Sequence, residues 1–340
     1  MHHPIQRRLL GLLLCLPLAA GAAESATEAP QPPARENAIV LETLVVSGKM
    51  PGPGMWKVSR DGHTMWILGT VQPIPRRLEW ESEEVAERIL AAEKVLMPAN
   101  VKMDLGIGKF RQLLLLPSLL GARKNPEGEK LRDSVSAEDY ARWLVLKDRY
   151  MGRRRKVEGF RPVFAASELN GAALKKSGLE YRGLVSPLIE RLVKKNDIAV
   201  ERPLLEIRIE DPKGAIRSFR EAQIDDSQCF RQMLDHLEKD LDHMRIRANA
   251  WARGDLLTLR EVTFTDPSQA CLDAVFESRF AKEQGIDNLA PRLDALWLES
   301  AEKILAEHKT SFAALPMGDL LGKDGQLAVL AARGYVVEEP

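Results

Sequence analysis

The chain has 340 residues, of which 45% are apolar, enough to fill a sizeable core. Its 49 Lys and Arg residues are matched by 49 Asp and Glu dispersed along the chain. That balance gives no electrostatic case for nucleic acid as a partner.

The first stretch, MHHPIQRRLLGLLLCLPLAAGAAES, sets Arg7 and Arg8 ahead of an apolar run from Leu9 to Ala20 and closes on small residues through Ala23. This three-part pattern predicts a secretory signal peptide over residues 1–23, and with it a periplasmic or secreted protein. The apolar run is short for a bilayer, and no later segment has the length of a membrane helix, so no stable transmembrane anchor is expected. An uncleaved anchor helix is the competing interpretation. Cleavage takes Arg7 and Arg8 from the 49 basic residues, leaving a net charge of −2, and removes Cys15. The two cysteines that remain, Cys229 and Cys271, are expected to pair in an oxidising compartment; two buried thiols too far apart to meet are the alternative.

Residues 24–54 read as a Pro-rich linker and turn region. ESATEAPQPPARE lacks the apolar content for a core, LETLVVSG (41–48) alternates like a strand, and PGPG (51–54) is a turn cluster. The folded domain is placed at 55–338. MWKVS and TMWIL are two strands around RDGH, a hairpin by its Asp-Gly signal. The second strand stops at Gly69-Thr70, where the missing Cβ lets backbone and ligand approach closely. Ser82 caps a predicted helix over EEVAERILAAEK, whose Val85, Ile89 and Leu90 recur at helical spacing, and VLMPA is a short strand.

A helical insert is predicted over about 104–310. Ser136 caps SAEDYARWLVLKDRY, and DDSQCFRQMLDHLEKDLDHMRIRANAWARGD reads as one long amphipathic helix ending at Gly254. Asp255 caps the next helix, Asp266-Pro267 opens the one carrying Cys271, and NLAPRLDALWLESAEKILAEH supplies another. After it, SFAALP is a buried strand, MGDLLGKDG a loop, QLAVLAAR a helix stopped by Gly334, and YVVEE the last strand. The βα units at the two ends of the chain are expected side by side in one small central sheet, with their loops converging. The fold class is therefore α/β with a large helical insertion.

Other motifs carry less. His236, Asp240 and His243 fall on one helix face at metal-ligand spacing, but Glu238, Lys239 and Asp242 surround them and a solvated charged face explains them better. RRRK (153–156) is expected to be a solvated turn after a helix, the alternative being a contact for anionic lipid or lipopolysaccharide. LLLLPSLL (113–120) is expected to pack in the core, the alternative being an apolar cover over the loop edge where a peptide or lipid lies. Neither HExxH nor GxSxG occurs.

A strand ending in Gly-Thr near the start, together with GQLAVLAARGYVV (325–337) at the finish, resembles the TraB/GumN family, which is related to the Tiki-type membrane-associated proteases. ANAWARGD and ACLDAV are similar to the helical insert of its bacterial members. The resemblance implies a Gly-x-x-His motif in each converging loop, the two histidines holding a divalent metal that activates water, with a carboxylate nearby. This sequence departs at each place. The first motif reads Gly69-Thr70-Val71-Gln72, the second Pro316-Met317-Gly318-Asp319, and MPAN (97–100) stands where a Glu is often found. Gln72 offers one neutral oxygen and Asp319 one carboxylate, which suits at most a loosely held hard ion. No cofactor is therefore predicted, and Gly69, Thr70, Gln72 and Asp319 are candidate cleft positions. The expected function is that of a catalytically degenerate hydrolase-like fold binding a protein or peptide of the cell envelope. The alternatives are a metal-dependent peptidase with a non-standard site on Asp319, and a scaffold whose insert does the work while the cleft is idle.

Overall fold

Asp61 and Gly62 both take positive φ, 52° and 81°, the backbone of a type I′ turn, and fold β1 (Met55–Arg60) antiparallel onto β2 (His63–Thr70). The structure is a computed structural model that describes residues 50–340 apart from 223–225, 240, 262–270, 272–274 and 323. The predicted signal peptide, the linker up to residue 49 with its 41–48 strand, and the Asp266-Pro267 helix start lie outside the described residues. The remaining strands are β3 (Ile74–Pro75), β4 (Lys94–Leu96), β5 (Asn100–Asp104), β6 (Leu179–Glu180), β7 (Ala199–Glu201), β8 (Leu204–Arg208), β9 (Thr310–Pro316) and β10 (Val336–Glu338).

Six of them form a mixed central sheet in the order β10, β1, β2, β9, β4, β7. β2 and β9 pair in parallel from Thr64 opposite Thr310 to Thr70 opposite Pro316, so the two ends of the chain meet at the middle of the sheet. β9 is buried from Ser311 to Leu315, the continuous apolar run of a strand covered on both faces. β4 lies parallel on its other side. The crossover from β2 through the helix Glu83–Leu90 to β4 thus leaves one place in the sheet, and β9 fills it. β10 closes one edge against β1. The other edge is β7, which comes from the middle of the chain: the predicted helical insert also gives the sheet a strand. β3 with β6 and β5 with β8 make two further short ladders.

Helices appear at most predicted places. Ser136 Oγ accepts from the Asp139 N–H and starts Ala137–Met151, and the Asp255 carboxylate accepts from Thr258 at the start of Leu256–Glu261. Ser82 occupies its predicted N-cap position, but its hydroxyl makes no cap hydrogen bond, and Leu90 is exposed while Val85 and Ile89 are buried. The expected long helix runs over Ser227–Lys239 and Leu241–Arg253, residue 240 lying outside the described residues. On it His236 is buried and His243 exposed, so the two do not share a solvated face. MGDLL is a short helix, Met317–Leu321, and not a loop, because Met317 and Leu320 turn inward onto the core. Cys229 and Cys271 form a disulfide with Cα atoms 4.7 Å apart, inside an apolar cluster that includes Trp143, Phe230 and Met233.

Two expectations are corrected outright. The 113–120 stretch does not pack in the core: only Leu115 is buried, and the large side chains around it face solvent. Met50–Gly54, read from sequence as the end of the linker, is tied to the fold. Met50 is buried and bridges Trp80, and the Gly52 N–H donates to the Ala252 carbonyl at 2.8 Å.

Candidate functional site

The parallel register of β2 and β9 sets Gly69 opposite Leu315 and Thr70 opposite Pro316, so both loops leave the same edge of the sheet. Open α/β sheets bind ligands outside such carboxyl ends. Gly69 leaves space there for the buried Met317 side chain. A Cβ built on it would lie 2.5 Å from Met317 Cε and 2.7 Å from Met317 Sδ, and Met317 is buried. The first loop thereby gives room for the second.

The first loop is held through its carbonyls. Trp251 Nε1 donates to the Gly69 carbonyl at 2.6 Å, and Arg247 Nη2 to the Gln72 carbonyl at 2.8 Å. Both donors stand on the helix Leu241–Arg253, and Trp251 is itself fixed against Trp80, ring centroids 5.3 Å apart. Thr70 Oγ1 donates to the Leu315 carbonyl at 3.2 Å and ties the loop to β9. The Gln72–Pro73 peptide is cis. With the backbone so occupied, the side chain of Gln72 is left exposed. It borders a crevice of about 20 Å³ lined by Thr70, Gln72, Gly183, Ser186 and Trp251 among others. That is room for a water molecule and too little for a substrate side chain.

Asp319 does not line this crevice. It stands in the first turn of Met317–Leu321, and its carboxylate reaches solvent. The protein crowded around it and, second, the Asp294 carboxylate push its pKa up to about 6. The structure therefore brings Gly69, Thr70, Gln72 and Asp319 to adjacent strand ends, but gives Gln72 and Asp319 different surroundings.

Whether these residues fit the divalent metal that the resemblance implies depends on the donor set. Among the described residues no group of three or more His, Cys, Asp or Glu side chains is placed to hold an ion. His63 and His308 stand at the opposite, amino-terminal ends of β2 and β9, with His63 Nδ1 2.6 Å from the Leu305 carbonyl and His308 Nδ1 3.4 Å from Glu93. One amide oxygen and one carboxylate without a shared centre do not fit a catalytic metal. Arg247 and Trp251 are the residues that sequence reasoning missed. Trp251 lies in ANAWARGD, the stretch similar to the family's helical insert, and Arg247 stands just before it, but neither signals which carbonyl it meets.

A model described as the TraB/PrgY/gumN family matches residues 54–339. No curated protein and no solved structure matches the chain.

Proposed function

Because the chain belongs to the TraB/PrgY/gumN family, we propose that it is an exported member whose strand-end cleft has lost the family's metal chemistry and binds a protein or peptide of the cell envelope. Export is supported by the signal-like amino terminus and by the Cys229–Cys271 bridge, since such bridges persist in oxidising compartments. One observation carries the binding role. The carbonyls of Gly69 and Gln72 are engaged by Trp251 and Arg247, so the loop is held while the Gln72 side chain, beside Gly183, stays exposed. An amide is a donor and an acceptor at once, suited to the backbone of an extended peptide and unsuited to proton transfer. The crevice beside it is too small to enclose a ligand, so the occupant lies across the strand ends.

A hydrolase is the second reading, and the observation in its favour is Asp319, whose pKa of about 6 is that of an acid–base group. Photo-cross-linking from position 72 in the producing cell separates the two. A discrete protein or peptide adduct, absent when the cross-linker is moved to exposed Leu257, is the expected result. Peptide hydrolysis by the purified protein that disappears in Asp319→Ala, with no adduct at position 72, would overturn it.

A further inference from the structure

Away from the cleft, the short helices Lys109–Leu113 and Leu116–Ala122 present an unusual surface. Phe110, Leu113, Leu114, Leu116, Leu119 and Leu120 are 45 to 75% exposed. Leu115 and Ala122 are the buried anchors of the same stretch. A contiguous run of large exposed apolar side chains marks an interaction site.

What covers it is indicated by the charge beside it. The apolar helix ends at Ala122; Gly121 in its last turn and Lys124 just beyond it both line a cavity of about 1590 Å³. Seven basic side chains line that cavity against three acidic ones. Lys124, Arg155, Lys156, Arg217 and Arg220 form no ion pair among the described residues, so their charge is not spent within the fold. Arg161 organises the wall. It is 4% exposed and donates to the carbonyls of Phe219, Arg220 and Ala222, pinning the carboxyl end of the helix Pro212–Glu221 that carries Arg217 and Arg220. That helix packs on Leu116–Ala122, which keeps the cations next to the apolar run.

Apolar side chains on helical backbone, with an excess of basic groups at their border, match a fluid apolar phase under an anionic surface. We propose that this face docks on an anionic phospholipid bilayer, the 110–120 segment entering the boundary between headgroups and acyl chains while the cationic cavity takes lipid phosphates. The RRRK run supplies Arg155 and Lys156 to the cavity, with Arg153 and Arg154 exposed beside them.

Co-sedimentation tests this, using the protein in the form in which cells accumulate it. Vesicles of phosphatidylglycerol and of phosphatidylcholine are compared at low and high salt, beside the variants Phe110→Ser/Leu114→Ser/Leu120→Ser and Arg217→Glu/Arg220→Glu. All five positions are exposed, so both variants should melt like the wild type, which is measured in parallel. Affinity for phosphatidylglycerol at low salt is expected to fall about tenfold or more in phosphatidylcholine, in high salt and in each variant. Absence of wild-type binding to phosphatidylglycerol, or binding that the triple serine variant leaves intact, would overturn the proposal. A concentration-dependent dimer abolished by that variant, without vesicle binding, would overturn it too and assign the face to a second copy.

Discussion

β2 and β9 run side by side and stop at the same level, but the segments beyond them are held by different forces. Beyond β2 the chain is fixed by hydrogen bonds to its carbonyls, given by Trp251 and Arg247 from far along the sequence. Beyond β9 it is fixed by apolar burial, Met317 and Leu320 turning inward to start a short helix. The first device, with Thr70 tied to β9, fixes the loop without the Gln72 side chain, which is left exposed. The second places Asp319 on a helix whose inner face is committed to the core, with a carboxylate that its surroundings disfavour. In neither case is the displayed side chain a hydrogen-bonding support of the backbone, so the shape of the strand ends does not fix what chemistry stands there.

The contrast breaks most severely at Trp251. Trp251→Ala empties a buried site and removes the donor to Gly69, and should cost about 3–5 kcal/mol in denaturant unfolding. Trp251→Phe keeps most of the volume and should cost about 1–3 kcal/mol, the penalty of one stranded carbonyl. A Phe variant as damaging as the Ala variant would make the hydrogen bond, not packing, the dominant hold. Next in size is Gly69→Val, which drives a side chain into Met317 and should destabilise by about 1–3 kcal/mol. Met317→Ala in the same chain should recover part of that loss, and simple additivity would show that the two segments do not press on one another.

Smaller effects sharpen the other half. The folded pKa of Asp319, about 6, lies above its ordinary 3.8, so the native state holds its proton more tightly than the unfolded chain. Its contribution is present below the unfolded value and lost as pH rises through the folded one. Asp319→Asn should therefore melt higher than the wild type at neutral pH, with the gap closing toward pH 3.8, as thermal scans across that window would record. Smallest of all is Gln72→Ala, expected within about 0.5 kcal/mol of the wild type because the side chain is exposed. A larger change in its melting curve would mean that the amide supports the loop.

Much of this architecture was legible in the residues. The Asp-Gly turn, the Gly-Thr strand end, SFAALP and the helix stopped by Gly334 each carry a local signal strong enough to survive in the fold. The place of β7 was not, since three residues between a helix and β8 are too few to show a period, and pairing with β4 is a long-range choice. LLLLPSLL misled for a general reason: a run of leucines says that a segment avoids water and does not say whether protein or something else covers it. At the site, the side chains at positions 72 and 319 were readable as departures from a motif. The clamp on the first loop was not, because a Trp or Arg on a helix reveals nothing of which carbonyl it will meet.

The most direct measurement is a crystal of the protein grown without chelator in the presence of manganese, examined for anomalous scattering at the carboxyl ends of β2 and β9. No peak within bonding distance of Gln72 or Asp319 is the predicted result. An ordered ion bound to both would contradict the account, since it would show that these two strand ends still assemble a metal centre.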